Sequence, residues 1–170
     1  APFDDWRVRQ ALIEAFNYES INDTLTGGRL PRITSYFSNS YLSMQPGPAT
    51  GRVAELLAPF ADDLPPGTMD GYELPVSDGT ASNRKNLRRA RKLLQDAGWT
   101  VDNGVLQNES GEQLELKVLL QHGNLGEAEM QKAVDIYATA LERLGIKLTT
   151  DLVDGAQYVE RQSNYEFDLT

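Results

Sequence analysis

His122 is the one histidine in a chain that has no cysteine. A multi-histidine metal centre needs several imidazoles, and a thiolate site or cysteine nucleophile needs a thiol, so these chemistries are excluded. Neither a G-x-S-x-G nucleophile elbow nor a Walker phosphate loop occurs. A serine hydrolase would have to bring His122 to a serine and an acid through the fold alone. His122 follows the apolar run "LELKVLL" and precedes Gly123. That place suits an ordinary polar loop residue or a hydrogen-bonding group that meets a ligand at a strand end. The acid pairs Asp4-Asp5 and Asp62-Asp63 are better explained as helix capping and loop solvation than as acid/base machinery. Asn22-Asp23-Thr24 and Asn108-Glu109-Ser110 match the glycosylation pattern, which is short enough to arise by chance. No catalytic residue, metal or cofactor is assigned.

The elements that position His122 follow from periodicity. "LELKVLL" predicts a buried strand at about 114–120. "GEAEMQKAVDIYATALERLG" predicts a helix with Met130, Val134, Tyr137, Leu141 and Leu144 on its core face and Gly145 as its stop. "IKLTTDLV" predicts a second strand, "GAQYVERQSNY" a short helix, and "EFDLT" a third extended piece. Strand, helix, strand, helix, strand is a βαβαβ core with right-handed crossovers, and in open α/β sheets ligands meet the loops at the carboxyl ends of the strands. Those loops are 121–124, with Gln121, His122 and Asn124, and 153–156.

Upstream, "PFDDWRVRQALIEAFNYESI" predicts a helix from near the first residue, capped by Asp4 or Asp5, with Val8, Ala11, Leu12, Ala15 and Phe16 on one face. "NYESINDTLTGG" predicts a second helix stopped by Gly27 and Gly28. Residues 29–82 lose periodicity and hold seven of the eight prolines. Tyr36, Phe37, Tyr41 and Tyr72 predict an ordered irregular loop, because aromatics supply area to pin it, and Leu56, Leu57 and Phe60 predict a helical turn within it. "NRKNLRRARKLLQDAGW" is the clearest helix: Leu87, Ala90, Leu94 and Ala97 form its stripe, and Gly98 with Trp99 folding back on Leu94 predicts a Schellman stop. Arg84, Lys85, Arg88, Arg89, Arg91 and Lys92 occupy the rest. Without interleaved aromatics, this basic run predicts a solvated face or one that pairs with neighbouring acids. "TVDNGVLQNES" carries the turn signals Asn103-Gly104 and Ser110-Gly111 around short extended pieces.

The chain has 170 residues, 40% of them hydrophobic, and a formal charge of -9. That is enough for a single domain with a core, and the charge would repel a phosphate backbone, so no nucleic-acid partner is expected. No run of 18 apolar residues is present to span a membrane, and the first residues lack the pattern of an export signal.

"PFDDWRVRQALIEAFNYESIN", "NLRRARKLLQDAGW" and "LERLGIKL" followed by "FDLT" closely resemble, in the same order, segments of bacterial family 5 extracellular solute-binding proteins. "SYFSNSYL", "GYELPVSDGT" and "NRKNLRRA" are similar to the branch represented by the oligopeptide-binding protein of the importer that also admits microcin C. The resemblance implies a periplasmic-binding-protein-like (type II) α/β lobe with extra helices and a long irregular loop region. The chain is then a piece of a longer protein: partial lobe II over 1–170, with a helical start at 1–28, the irregular region at 29–82, and a helix plus βαβαβ core at 83–170. Its first helix lies just inside the lobe, and its end falls within the third strand.

The function so implied is that of a substrate-binding component of an ABC-type oligopeptide importer in the periplasm or cell envelope. It would hold a peptide or peptide-like ligand against a missing lobe I and deliver it to an ABC permease. By the same resemblance Gln121, His122 and Asn124 lie where peptide is contacted, and Arg161 or Gln162 lies near a position that can hold an arginine facing a ligand carboxylate. The sequence departs from the better-known oligopeptide binders in placing the acids Glu127 and Glu129, rather than basic or imidazole groups, at the start of the next helix. Recognition of a peptide C-terminus does not carry over to that spot. The alternatives are the same lobe as the solute sensor of a transcription regulator, or a hydrolase using His122.

Overall fold

The computed structural model describes residues 2–170. The polypeptide divides into two compact units, residues 1–29 with 76–170, and residues 30–75. In the larger unit a 3-10 turn, Pro2–Asp4, leads into α1, Trp6–Ala15, and α2, Tyr18–Thr26. Asp5 caps α1 by accepting the Arg7 backbone N–H at 2.8 Å, which satisfies one of the free donors at a helix start. Val8, Ala11, Leu12 and Ala15 turn into the core, where they meet Leu87, Ala90 and Leu94 of the long helix Arg84–Asp96. That helix, α4 in chain order, ends as its sequence predicts. Trp99 N–H donates to Leu94 O at 2.9 Å, Gly98 N–H donates to Gln95 O at 3.0 Å, and Trp99 is buried.

A hairpin follows, β1 at Thr100–Asp102 and β2 at Val105–Gln107, joined by Asn103-Gly104. Both turn residues have positive φ, 48° and 85°, as a two-residue hairpin with the right-handed strand twist requires. β3 (Glu115–Gln121) then pairs in parallel with β4 (Lys147–Val153) over seven residues, from Glu115 opposite Lys147 to Gln121 opposite Val153. α5, Glu127–Glu142, makes the crossover, and α6, Gly155–Ser163, leads back to residue 169. There the expected third strand contributes a single parallel bridge, Leu169 to Val118, on the edge of β3 away from β4. Leu119 N–H donates to Leu169 O at 2.9 Å and Leu169 N–H to Lys117 O at 3.0 Å. β3 is therefore central, with its successor on one side and residue 169 on the other. Leu116, Val118 and Leu120 share one face of β3 by the period of two.

Two expectations for α5 change. Met130 is 55% exposed rather than in the core, and only Leu141 of this helix is buried. The stripe is recruited at its C-terminal half: the half-buried Tyr137 hydroxyl donates to Leu12 O at 3.0 Å, and its ring meets Phe16 edge-on at 5.3 Å. Burial pushes the Tyr137 phenol well above its ordinary range, so it stays a donor.

The smaller unit holds α3, Gly51–Leu57, and a 3-10 turn, Ala58–Phe60. Its order is polar rather than aromatic. Ala49 N–H donates to Met69 O at 2.8 Å, Arg32 Nη1 donates to Pro75 O at 2.5 Å, and the Ser35 and Ser38 hydroxyls hold a local turn. Tyr36 and Tyr41 are almost fully exposed and Phe37 is also exposed, so these three do not pin the loop as expected, whereas Tyr72 is half-buried. Among the described residues no helix is long and apolar enough to cross a membrane.

Candidate functional site

β3 and β4 end level with one another, and His122 N–H extends their ladder by donating to Val153 O at 2.7 Å. The chain then turns at Gly123, whose φ is +81°. Glu127, the first residue of α5, closes this turn with both carboxylate oxygens. Oε2 accepts Gly123 N–H at 2.6 Å, and Oε1 lies 3.1 Å from His122 Nδ1. The Gly123 amide, and after it His122, hold the Glu127 carboxyl below its usual range. Its charge also faces the positive end of α5. Glu127 is thus a clasp for the strand-to-helix loop.

Gln121 ties the two loops together. Its Oε1 accepts from Asn124 Nδ2 at 3.1 Å, and its Nε2 occupies space that a Cβ on Gly155 would enter, 2.9 Å away. On the β4 side Asp154 caps α6 by accepting from Ala156 and Gln157 N–H at 2.9 and 3.0 Å. Tyr158 of α6 shares a 2.9 Å hydrogen bond with the Thr170 hydroxyl, which lies 3.3 Å from Leu119 O.

Between these groups is a cavity of about 200 Å³ with Gln121, Asn124, Tyr158 and Thr170 on its polar side. Leu125 and Met130 form its apolar wall, and Leu125 is fully exposed. It lies where the strand order reverses around β3, the crevice in which open α/β sheets take ligands. Its polar lining consists of amides and hydroxyls, apart from the Glu127 carboxylate already engaged by Gly123 and His122. Groups of this kind both donate and accept, and so match the N–H and C=O groups of a peptide-like backbone.

Of the residues expected at the site, Gln121 and Asn124 line the cavity. His122 is exposed at the outer edge of the loop, held by Glu127. Arg161 of α6 donates through Nη1 to Asp151 Oδ2 of β4 at 2.5 Å, and Gln162 is exposed on the same helix. Neither lines the cavity. Leu125, Met130, Tyr158 and Thr170 were not foreseen there. Leu125 carries a sequence signal, an apolar residue between two glycines in an otherwise polar loop, whereas Thr170 enters only through the return of the chain to β3. Among the described residues no cluster of three or more histidine and acidic side chains is arranged to hold a metal.

Comparison with known proteins shows the family and the fold. A probable peptide-binding protein YejA from Agrobacterium fabrum is 35% identical over 99% of the chain, and a peptidoglycan-binding protein YepA from the same organism is 30% identical over 99%. The chain spans 27% of the length of each. The oligopeptide-binding protein AppA of Bacillus subtilis, solved with a nonapeptide, superposes with a TM-score of 0.63 at 23% identity, over 98% of this chain and 27% of that one. The architecture is thus the α/β fold of type II periplasmic-binding-protein-like oligopeptide binders. The family model for bacterial extracellular solute-binding proteins, family 5, matches residues 1–170, and the chain belongs to that family.

Proposed function

We propose that residues 1–170 are most of lobe II of a two-lobed substrate-binding component of an ABC-type oligopeptide importer. The intact protein holds a peptide or peptide-like solute between this lobe and a lobe I outside the chain. It hands the solute to an ABC permease from the periplasm or cell envelope, and it carries out no chemistry on it. The observation that carries this reading is the cavity at the strand reversal, with amides and hydroxyls facing an aliphatic and thioether wall. Hydrogen-bonding groups that match any backbone, beside an adaptable Met and Leu surface, suit a ligand of variable side chains. Gln121 and Asn124 contact the ligand directly. His122 flanks them, and Arg161 and Gln162 lie one helical turn beyond Tyr158 on α6, where they meet a longer ligand.

The test is calorimetry with a mixed pentapeptide pool, on this chain and on a longer protein that contains it together with lobe I. The longer protein is expected to bind, and the chain alone is not, because each contact in half a cleft lacks the surface that would desolvate it. In the longer protein Gln121→Ala with Asn124→Ala is expected to weaken binding about tenfold through two lost hydrogen bonds. Micromolar affinity in the chain alone would count against the shared cleft. Unchanged affinity in the double variant would move the site elsewhere.

A further inference from the structure

The basic residues of α4 are not one solvated face. Lys92 pairs with Asp96 at 3.0 Å, and Lys85 and Arg89 act on the Glu14 carboxylate. Arg84, Arg88 and Arg91 lie on a different stripe, at i, i+4 and i+7. With Ser82, Leu87 and Arg143 they line a groove of about 650 Å³, and no acid is among its lining residues in the described part of the chain.

The groove is partly preorganised. Arg91 Nη2 donates to Arg143 O at 2.9 Å, and Arg143 Nη1 donates to Ser82 O at 3.1 Å, so both guanidinium groups are held by backbone and not by carboxylates. Arg84 and Arg88 form no ion pair among the described residues. Four arginines thus line one groove beside a single apolar residue, Leu87, in a chain whose net charge is -9. Arg91 also borders a second cavity, of about 320 Å³, walled by Trp99 and the half-exposed Val101.

We propose that this groove docks an acidic segment of a partner protein, an extended stretch with carboxylates at alternate positions followed by an apolar residue. The dimensions favour such a segment. Arg84 and Arg88 are separated by about 6 Å of helix rise. Carboxylates two residues apart on an extended chain are separated by about 6.6 Å. Arg91 is common to the groove and to the second cavity, whose Leu94, Trp99 and Val101 lining would take the apolar side chain. Guanidinium groups bind carboxylates in a two-pronged geometry that a lysine cluster does not supply. A long polyanion such as nucleic acid, or an anionic membrane, is repelled by the rest of the surface. The groove's lining shares no residue with that of the ligand cavity.

The test, on the longer protein that contains this chain together with lobe I, is fluorescence anisotropy with a dye-labelled peptide of alternating glutamate and serine ending in leucine, together with NMR of the arginine Nε–H signals during the titration. Saturable binding is expected, with shifts at Arg84 and Arg88, and a loss of about tenfold in affinity in Arg84→Ala with Arg88→Ala, the scale of two charge-assisted contacts. Added salt is expected to weaken it. The NMR readout uses the unsubstituted protein, so the outcome does not depend on how the variant folds. The proposal is overturned if Arg84 and Arg88 do not shift, if a peptide with lysine in place of glutamate binds equally well, or if the double variant retains full affinity. Tighter binding of inorganic phosphate, an oligothymidine or anionic vesicles would overturn it as well.

Discussion

Glu14 shows how a single side chain on the core side of α1 sets a stability term. It is 7% exposed, its Oε2 has no hydrogen-bond partner, and burial raises its carboxyl above the usual value despite the pull of Arg89 and Lys85. Because the folded-state value lies above the unfolded one, ionisation opposes folding: the cost is absent at low pH and grows as pH rises through the carboxylate range. Glu14→Gln is therefore expected to raise unfolding free energy at pH 7, where the buried carboxylate would have to be charged, and by almost nothing at pH 4, where it folds protonated. Urea denaturation at both pH values checks this, and an equal gain at the two would exclude ionisation as the cause. Neighbouring residues differ in how legible they were. The Asp5 cap and the Asn103-Gly104 turn are local, so sequence spacing sufficed. Met130 matched the helical period of α5, but that period does not say where along the helix the core stops, and the residue faces the cavity instead. The role of Glu127 was hidden because its partners, Gly123 and His122, become neighbours only when the strand ends in a turn.

At the scale of elements, glycines with the same backbone angle differ in what surrounds them. Gly145 ends α5 with φ +81°, its N–H donating to Glu142 O at 2.9 Å while Ile146 N–H donates to Leu141 O at 3.0 Å. A Cβ there would stand 2.7 Å from the Leu106 backbone nitrogen, since the β1–β2 hairpin rests on this turn through the Leu106 to Gly145 hydrogen bond of 2.8 Å. Gly123 has the same φ with no atom within 4 Å of a built Cβ. Gly123→Ala is expected to cost about 1 kcal/mol from left-handed strain alone. Gly145→Ala adds a backbone clash and is expected to cost about 3 kcal/mol. Thermal unfolding of the two variants compares them, and equal losses would show that the hairpin yields freely. The helix stop at Gly145 was legible because it obeys a local rule, whereas the hairpin docking on it was not. The same limit applies to the last extended piece. "EFDLT" has the alternation of a strand, yet only Leu169 bridges Val118, because pairing depends on the partner's edge and not on the segment.

For the whole molecule, the two compact units differ in what holds them. Among the described residues every buried one lies in residues 8–21 or 83–153, and none lies in 30–75. The larger unit packs Leu12, Leu94, Leu116 and Leu141 into one cluster, while the smaller one rests on backbone and hydroxyl hydrogen bonds that water can replace. Of the four aromatics that suggested a pinned loop, Tyr36, Phe37 and Tyr41 are exposed and Tyr72 is half-buried, since composition gives the apolar area available and not the area buried. Segments with few buried contacts open at low free energy, and cleavage follows the population of the open form. Brief chymotrypsin treatment is therefore expected to cut first after Tyr36, Phe37 or Tyr41, while Trp99 and Tyr137 survive until global unfolding. Mass spectrometry of the early fragments identifies the sites. The thermal transition of the cut protein should persist, because its cluster draws on α1, α4, β3 and α5 and on no residue between 30 and 75. Simultaneous loss of both units on the first cut would show that residues 30–75 are integral to the core.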